Sequence, residues 1–300
     1  MPSIYFDFGF YLLLAAVITG VVTLLDKFWW QKKRIEAGAV KYDEKGKEKY
    51  PAFIDICRSF FPIIFIVLLL RSFLYEPYRI PSGSMNPGLY DGDFILVNKF
   101  AYGIRLPALN TKIIDVSDPE RGDVIVFHPP HEPQQAYIKR LIGVPGDRIE
   151  WDRGTLTIIP QCTDGSDVSN QGCDPITVQS EFVSDKVNDL VPQGEYFDTY
   201  EEVLGDKNYK LVYLNDNANN GRVHSLDDRW TAVIPEDKYF AMGDNRDGSQ
   251  DSRAWGFIHE EGIIGKAAYK WIFVTFTDEP VLFGKHLPKG ISFSRAGAIN

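Results

Sequence analysis

The sequence is poor in the residues that most often announce a reaction. Cysteine and methionine occur three times each and histidine five times in 300 residues. The histidines, His128, His131, His224, His259 and His286, fall in no recognisable catalytic motif, so the usual base for activating a hydroxyl is not signalled. His128-Pro-Pro-His131 sets two imidazoles close together, but no cysteine, histidine or carboxylate at ligand spacing completes a site, and no metal or other cofactor is expected. A basic stripe is also missing. Residues 1–75 carry ten Lys/Arg against seven Asp/Glu, whereas the rest carries 22 against 34. An acidic body offers no footprint for a phosphate backbone, which excludes nucleic acid as a partner. The chain has no low-complexity tail, and past Tyr75 it has no long apolar face of helical period.

What it does have at the front is two apolar runs. Phe8 to Leu25, FGFYLLLAAVITGVVTLL, carries no charge, and a helix of roughly 18 residues is about the shortest that spans a hydrocarbon core. A cleavable signal peptide is the other reading of this run, but Met1 to Asp7 has no Lys or Arg and no small-x-small site follows. The second run, Phe60 to Leu70, is bounded by Arg58 and Arg71. It spans a bilayer if 56–75 joins it with both arginines snorkelling; otherwise it is a buried core helix. Between the runs lie Lys27, Lys32, Lys33, Arg34, Lys41, Lys45, Lys47 and Lys49. By the positive-inside rule this loop is cytoplasmic, which puts the N-terminus and everything after Tyr75 outside, with Trp29 and Trp30 at an interface. The expected anchor is therefore residues 1–75, with transmembrane helices at about 8–25 and 56–75 and a basic loop at 26–55, a lipid bilayer being its partner.

The outer part reads as mainly β, with short β-branched and aromatic runs punctuated by Gly and Pro. Gly-Asp pairs mark strand ends at Gly92-Asp93, Gly122-Asp123, Gly146-Asp147 and Gly243-Asp244. From 160 to 238 the composition turns to Asp, Asn, Ser and Gly, either an inserted smaller β subdomain or long loops, between the halves 76–159 and 239–300 of a catalytic β domain. Cys162 and Cys173 share one polar loop there, and an oxidising compartment would let them pair, a bond that contributes roughly 3 kcal/mol in the chain-entropy account. Two unpaired thiols is the alternative. Cys57, at the inner boundary, is expected to be a reduced structural thiol.

Two segments outside the anchor hold the chemistry. Ile80-Pro81-Ser82-Gly83-Ser84-Met85-Asn86-Pro87 can present a hydroxyl at a sharp turn. In Ala136-Tyr137-Ile138-Lys139-Arg140-Leu141, strand alternation puts Lys139 on one face with Tyr137 and Leu141 and turns Arg140 to the other. A lysine between apolar neighbours is a base once burial lowers its pKa, since at about 10.4 only a few ammonium groups in ten thousand are neutral at pH 7.

These segments, with the run Met242-Gly243-Asp244-Asn245-Arg246-Asp247-Gly248-Ser249-Gln250-Asp251-Ser252-Arg253, together resemble the bacterial type I signal peptidases, also called leader peptidases, in the family's order and behind two membrane helices. The resemblance implies a Ser/Lys dyad on a mostly β fold, with Ser84 as nucleophile and Lys139 as general base. It implies an oxyanion hole from the Ser84 amide and the Ser82 hydroxyl, a lysine-orienting role for Ser249, and bracing by Asp244, Arg246, Asp251 and Arg253. It matches Ile80, Met85, Leu89, Tyr137 and Ile138 to substrate-pocket positions. It further implies secreted preproteins as substrates, cut after a small-x-small motif on the periplasmic side of the inner membrane. Self-cleaving repressors use similar chemistry but are soluble and bind DNA, which two membrane helices and an acidic body oppose.

Overall fold

The computed structural model describes residues 8–42, 46, 48–105, 111–161, 174–184, 197–215, 229–277 and 287–299. Cys162 and Cys173 lie outside the described residues. The chain divides into two compact units, one of residues 1–75 with 104–114 and one of residues 76–103 with 115–300.

In the first unit α1 (Phe8–Leu25) continues through a π-helical turn at Asp26–Trp30 into α2 (Gln31–Glu36). The helix outruns its apolar stretch because Gln31 to Glu36 are mostly good helix formers and no glycine intervenes before Gly38. A short hairpin follows, β1 (Lys41–Tyr42) against β2 (Glu48–Lys49). Helix α3 (Ala52–Phe73) starts after Pro51, whose carbonyl accepts from the Asp55 N–H, and it carries Pro62 inside. A second hairpin, β5 (Ile104–Arg105) with β6 (Lys112–Ile114), belongs to this unit.

Helices α1 and α3 pack together, with Gly20 close under the Phe61 ring. Tyr11, Val17, Val21, Phe60, Ile63 and Ile66 stay exposed, so the two helices leave large apolar faces uncovered. Both are long and apolar enough to cross a membrane. Where α1 ends, the fully buried Asp26 takes Arg34 at 2.6 Å and Arg58 at 3.3 Å, so the charge in this otherwise apolar pair is neutralised. Cys57 is buried on α3 and unbonded.

The second unit is almost all β. Its strands are β3 (Tyr75–Arg79), β4 (Asp93–Asn98), β7 (Val124–Phe127), β8 (Tyr137–Gly143), β9 (Arg148–Asp152), β10 (Thr155–Ile159), β11 (Ile176–Val178) and β12 (Glu181–Ser184). They continue with β13 (Phe197–Leu204), β14 (Lys207–Leu214), β15 (Arg229–Val233), β16 (Lys238–Met242), β17 (Ile258–His259), β18 (Ile263–Phe276), β19 (Pro288–Ser292) and β20 (Gly297–Ala298). The short helix α4 (Ser252–Trp255) precedes β17.

The main sheet runs β17-β16-β8-β7-β18-β4-β3, with β19 and β20 also on β18. Strand β18 lies between β7 and β4, pairing with β7 over Ile263–Lys266 and with β4 over Lys266–Phe273, with shifts of register along both ladders. Of the smaller sheets, β11-β10-β9-β15 joins strands from either side of residue 160, while β12-β13-β14 is built wholly from strands after it. Ile142, Phe240 and Met242 of the main sheet share one buried cluster with Trp151, Leu156, Leu211 and Tyr213.

The Gly-Asp pairs do sit at strand ends. Gly92, Gly122 and Gly146 have φ of 95°, 87° and 84°, a region closed to most side chains. The aspartates are buried: Asp93 accepts from Tyr90 N–H and Arg295, Asp147 from Val144 N–H and Arg121, and Asp123 from the Tyr102 hydroxyl with Lys266 at 2.5 Å. Each turn is thus also pinned by an ion pair that local composition does not reveal.

Candidate active site

Ser84 lies in a 3-10 turn, Gly83–Met85, that follows β3, and it is half-buried while Ser82 beside it is exposed. Lys139 lies on β8, opposite Ile125 of β7, and is 4% exposed. The Lys139 Nζ donates to Ser84 Oγ at 2.6 Å. Burial pushes the Lys139 amine down to about 8; Asp251 and Asp244 oppose that shift and Arg253 adds to it. At pH 7 a group of that pKa is neutral in roughly one molecule in ten, against a few in ten thousand for a solvated lysine. Burial therefore raises the neutral fraction of this amine by more than a hundredfold.

Ser82 Oγ donates to Ser84 Oγ at 3.5 Å, a weak contact. These groups open on a cleft of about 500 Å³ lined by Pro81 to Ser84, Gln135 to Lys139, Asn245, Gly248 and Gln250. Of the five pocket candidates, Tyr137 and Ile138 line this cleft. Ile80, Met85 and Leu89 are nearly fully buried and share a core cluster with Ile138. Met85 and Leu89 also border a separate cavity of about 440 Å³ that includes neither Ser84 nor Lys139.

Residues after β16 form the back of the site. Asp251 is fully buried, accepts from Gly243 N–H at 2.9 Å and pairs with Arg253 at 2.8 Å. Asp244 takes both Nε and Nη2 of Arg140, at 2.8 and 2.9 Å, inside the protein. Arg246 takes both oxygens of Glu202 on β13, at 3.0 and 2.5 Å, both side chains being 0% exposed. Ser249 Oγ is buried next to Asp251, whose carboxyl it helps hold down, and among the described residues it shows no hydrogen bond to Lys139. It abuts Gly243, where a Cβ would lie 2.5 Å from the Ser84 carbonyl oxygen as well, so only glycine fits behind Ser84.

Three residues that sequence reasoning did not single out belong to this arrangement: Arg140, Glu202 and Asn245. Strand alternation did turn Arg140 away from Lys139, but its partner is far along the chain. Glu202 carried no local signal at all, and Asn245 was one polar residue within a quoted motif.

The family model for signal peptidase, peptidase S26, matches residues 53–272. The chain belongs to the signal peptidase family. This peptidase is 38% identical to the signal peptidase I of Pseudomonas fluorescens, with 98% of this chain and 99% of that one covered. Against the signal peptidase I of Pseudomonas aeruginosa the identity is 37%, over 98% of this chain and 99% of the relative. The signal peptidase I of Buchnera aphidicola from Acyrthosiphon pisum is 35% identical over 97% and 98%. A solved signal peptidase I from Enterococcus faecalis shares 26% identity, with a TM-score of 0.26, covering 51% of this chain and 98% of that one. With two helices able to cross a bilayer, the peptidase is membrane-anchored.

Proposed function

We propose that this peptidase removes N-terminal signal peptides from secreted preproteins, cutting after a small-x-small motif on the periplasmic side of a bacterial inner membrane. The observation that carries the reading is the 2.6 Å contact between the buried Lys139 Nζ and Ser84 Oγ. In the neutral state the Lys139 lone pair accepts the Ser84 proton as Oγ attacks the scissile carbonyl carbon. Negative charge develops on the carbonyl oxygen, and the Ser84 N–H and Ser82 hydroxyl stabilise it. Collapse breaks the C–N bond, and the Lys139 ammonium gives its proton to the departing amine. Water then attacks the acyl-enzyme, losing its proton to Lys139, and the signal peptide leaves with a free carboxylate while Ser84 recovers its proton.

The basic segment between the helices supports an outside location for the catalytic unit, through the positive-inside rule. The division into an anchor over 1–75, a catalytic β domain over 76–159 and 239–300, and an insertion at 160–238 is part of this reading, as is bracing by Asp244, Arg246, Asp251 and Arg253. Anchoring enzyme and preprotein in one bilayer raises the effective concentration of each for the other.

Ile138, 9% exposed at the cleft, favours small side chains one and three residues before the cut, since displacing it from its packing costs roughly 1–3 kcal/mol. Detergent-solubilised protein incubated with a preprotein is expected to make one cut, and an alanine-to-phenylalanine change at either position is expected to block it, as read by mass spectrometry. Equal cleavage of both forms would remove the small-residue specificity. For the oxyanion hole, Ser82→Ala is expected to lower kcat roughly 100- to 1,000-fold with KM nearly unchanged. A raised KM at constant kcat would instead make Ser82 a ground-state binding group.

A further inference from the structure

Asn245 lies in the same cleft as Ser84 and Lys139 and is almost fully buried. Its backbone N–H donates to the Ser84 carbonyl at 3.0 Å. Its Nδ2 donates to the Gly83 carbonyl at 3.1 Å, and its Oδ1 accepts from the Gly248 N–H at 3.0 Å.

The Gly83 contact has the largest consequence. The Gly83 C=O and the Ser84 N–H belong to one peptide unit, which is planar and trans, so the two point in opposite directions. Whatever holds the Gly83 oxygen therefore aims the Ser84 N–H. The Asn86 N–H also reaches that oxygen, at 3.1 Å, but this is the single bond of a 3-10 turn, whose hydrogen-bond geometry is poor.

Asn245 adds a bond from a much stiffer frame. On one side Asp244 is fixed by Arg140, and on the other Arg246 is fixed by Glu202. Val212 of β14 ties both neighbours, donating to the Asp244 carbonyl and accepting from the Arg246 N–H, each at 2.9 Å. A residue clamped on both sides has little freedom to follow the turn, so the turn follows it.

We infer that Asn245 is a positioning residue for the oxyanion hole: by gripping the Gly83 carbonyl it sets the plane of the 83–84 peptide and aims the Ser84 N–H at the charge that develops in the reaction. The inference rests on the Ser84/Lys139 reading above but is separate from the base, because Asn245 acts on the peptide plane and not on Lys139.

The test uses the full chain in detergent with a preprotein bearing alanine one and three residues before the cut. Asn245→Ala is expected to lower kcat roughly 10- to 100-fold, as a small misplacement of a reacting group does. KM is expected to stay within about twofold, since the bond matters in the transition state. The alkaline rise of kcat near pH 8, set by Lys139, is expected to stay where it is. Asn245→Asp keeps an oxygen for the Gly248 N–H but loses the donor to Gly83. Read on the alkaline plateau, where an added carboxylate no longer alters the Lys139 charge, it is expected to be as slow as the alanine variant.

Wild-type kcat in Asn245→Asp would overturn the inference, because the turn at Gly248 would then be the only contact that counts. So would a raised KM with unchanged kcat, which would make Asn245 a substrate-binding group. Should Asn245→Ala fail to fold, the nearly isosteric aspartate variant decides alone. Ser84→Ala and Lys139→Ala run alongside: if either still cleaves, the dyad reading itself fails, and if both are dead while Asn245→Ala keeps its kcat, only the present inference falls.

Discussion

Lys139→Ala and Lys139→Arg are both expected to abolish cleavage in the solubilised protein. Alanine removes the base, and a guanidinium cannot lose its proton in this range. In the unaltered protein kcat is expected to rise as pH passes about 8 and then level, because burial has lowered the Lys139 pKa from 10.5 and only the neutral amine accepts a proton. The sign follows from the charge state: below that pH the ammonium dominates and turnover falls about tenfold per pH unit. The same shift makes the fold gain stability between about pH 8 and 10.5, since a charged Lys139 is disfavoured in the folded state but not in the unfolded one. Single substitutions of His128, His131 or His259 are expected to leave most of the activity. A histidine variant that stays folded and yet has no turnover would refute the Ser/Lys assignment.

Glu202→Ala is the second large effect, and it is one of stability. Glu202 and Arg246 are sealed from solvent, and the Glu202 carboxylate also accepts from the Ser180 hydroxyl at 2.5 Å and the Tyr209 hydroxyl at 2.7 Å. Removing it strands a guanidinium in the interior. Breaking one side of such a buried pair typically costs about 3–5 kcal/mol, a large part of what a domain has. Glu202→Gln, which keeps the shape and some hydrogen bonds, is expected to fall between. Denaturant unfolding of the three forms gives the comparison, with kcat measured on what remains folded. A cost under about 1 kcal/mol for the alanine form would mean that water reaches Arg246, and that the pair is a surface bridge in energetic terms.

Stability and activity are linked here through one stretch of chain. Arg246 adjoins Asn245, whose N–H holds the Ser84 carbonyl, so loosening the Glu202 clamp is expected to disturb the Ser84 turn too.

Local pattern was enough for much of this protein. Apolar length alone marks the two helices, because a bilayer demands an uninterrupted run of a set length. Strand alternation along Tyr137 to Gly143 separates Lys139 from Arg140, since a side chain on a pleated strand has only two directions to take. Glycine before aspartate marks strand ends, because a positive φ is cheap only for glycine. That the Ser84 and Lys139 side chains lie together was legible too, but through the joint resemblance of three motifs rather than through either residue's neighbours.

Tertiary structure decided the rest. The helix beyond Leu25 runs on to Glu36, since nothing in Asp26 to Glu36 breaks it and its end need not coincide with the end of its apolar run. Ile80, Met85 and Leu89 turn out to be core beneath the turn, while Tyr137 and Ile138 reach the cleft, a distinction no periodicity makes. The pKa of Lys139 depends on how much water the folded sheet excludes, and the partners of Arg140 and Arg246 lie 104 and 44 residues away. Sequence determines what each residue can do over a few bonds; burial and long-range pairing exist only once the chain has closed on itself.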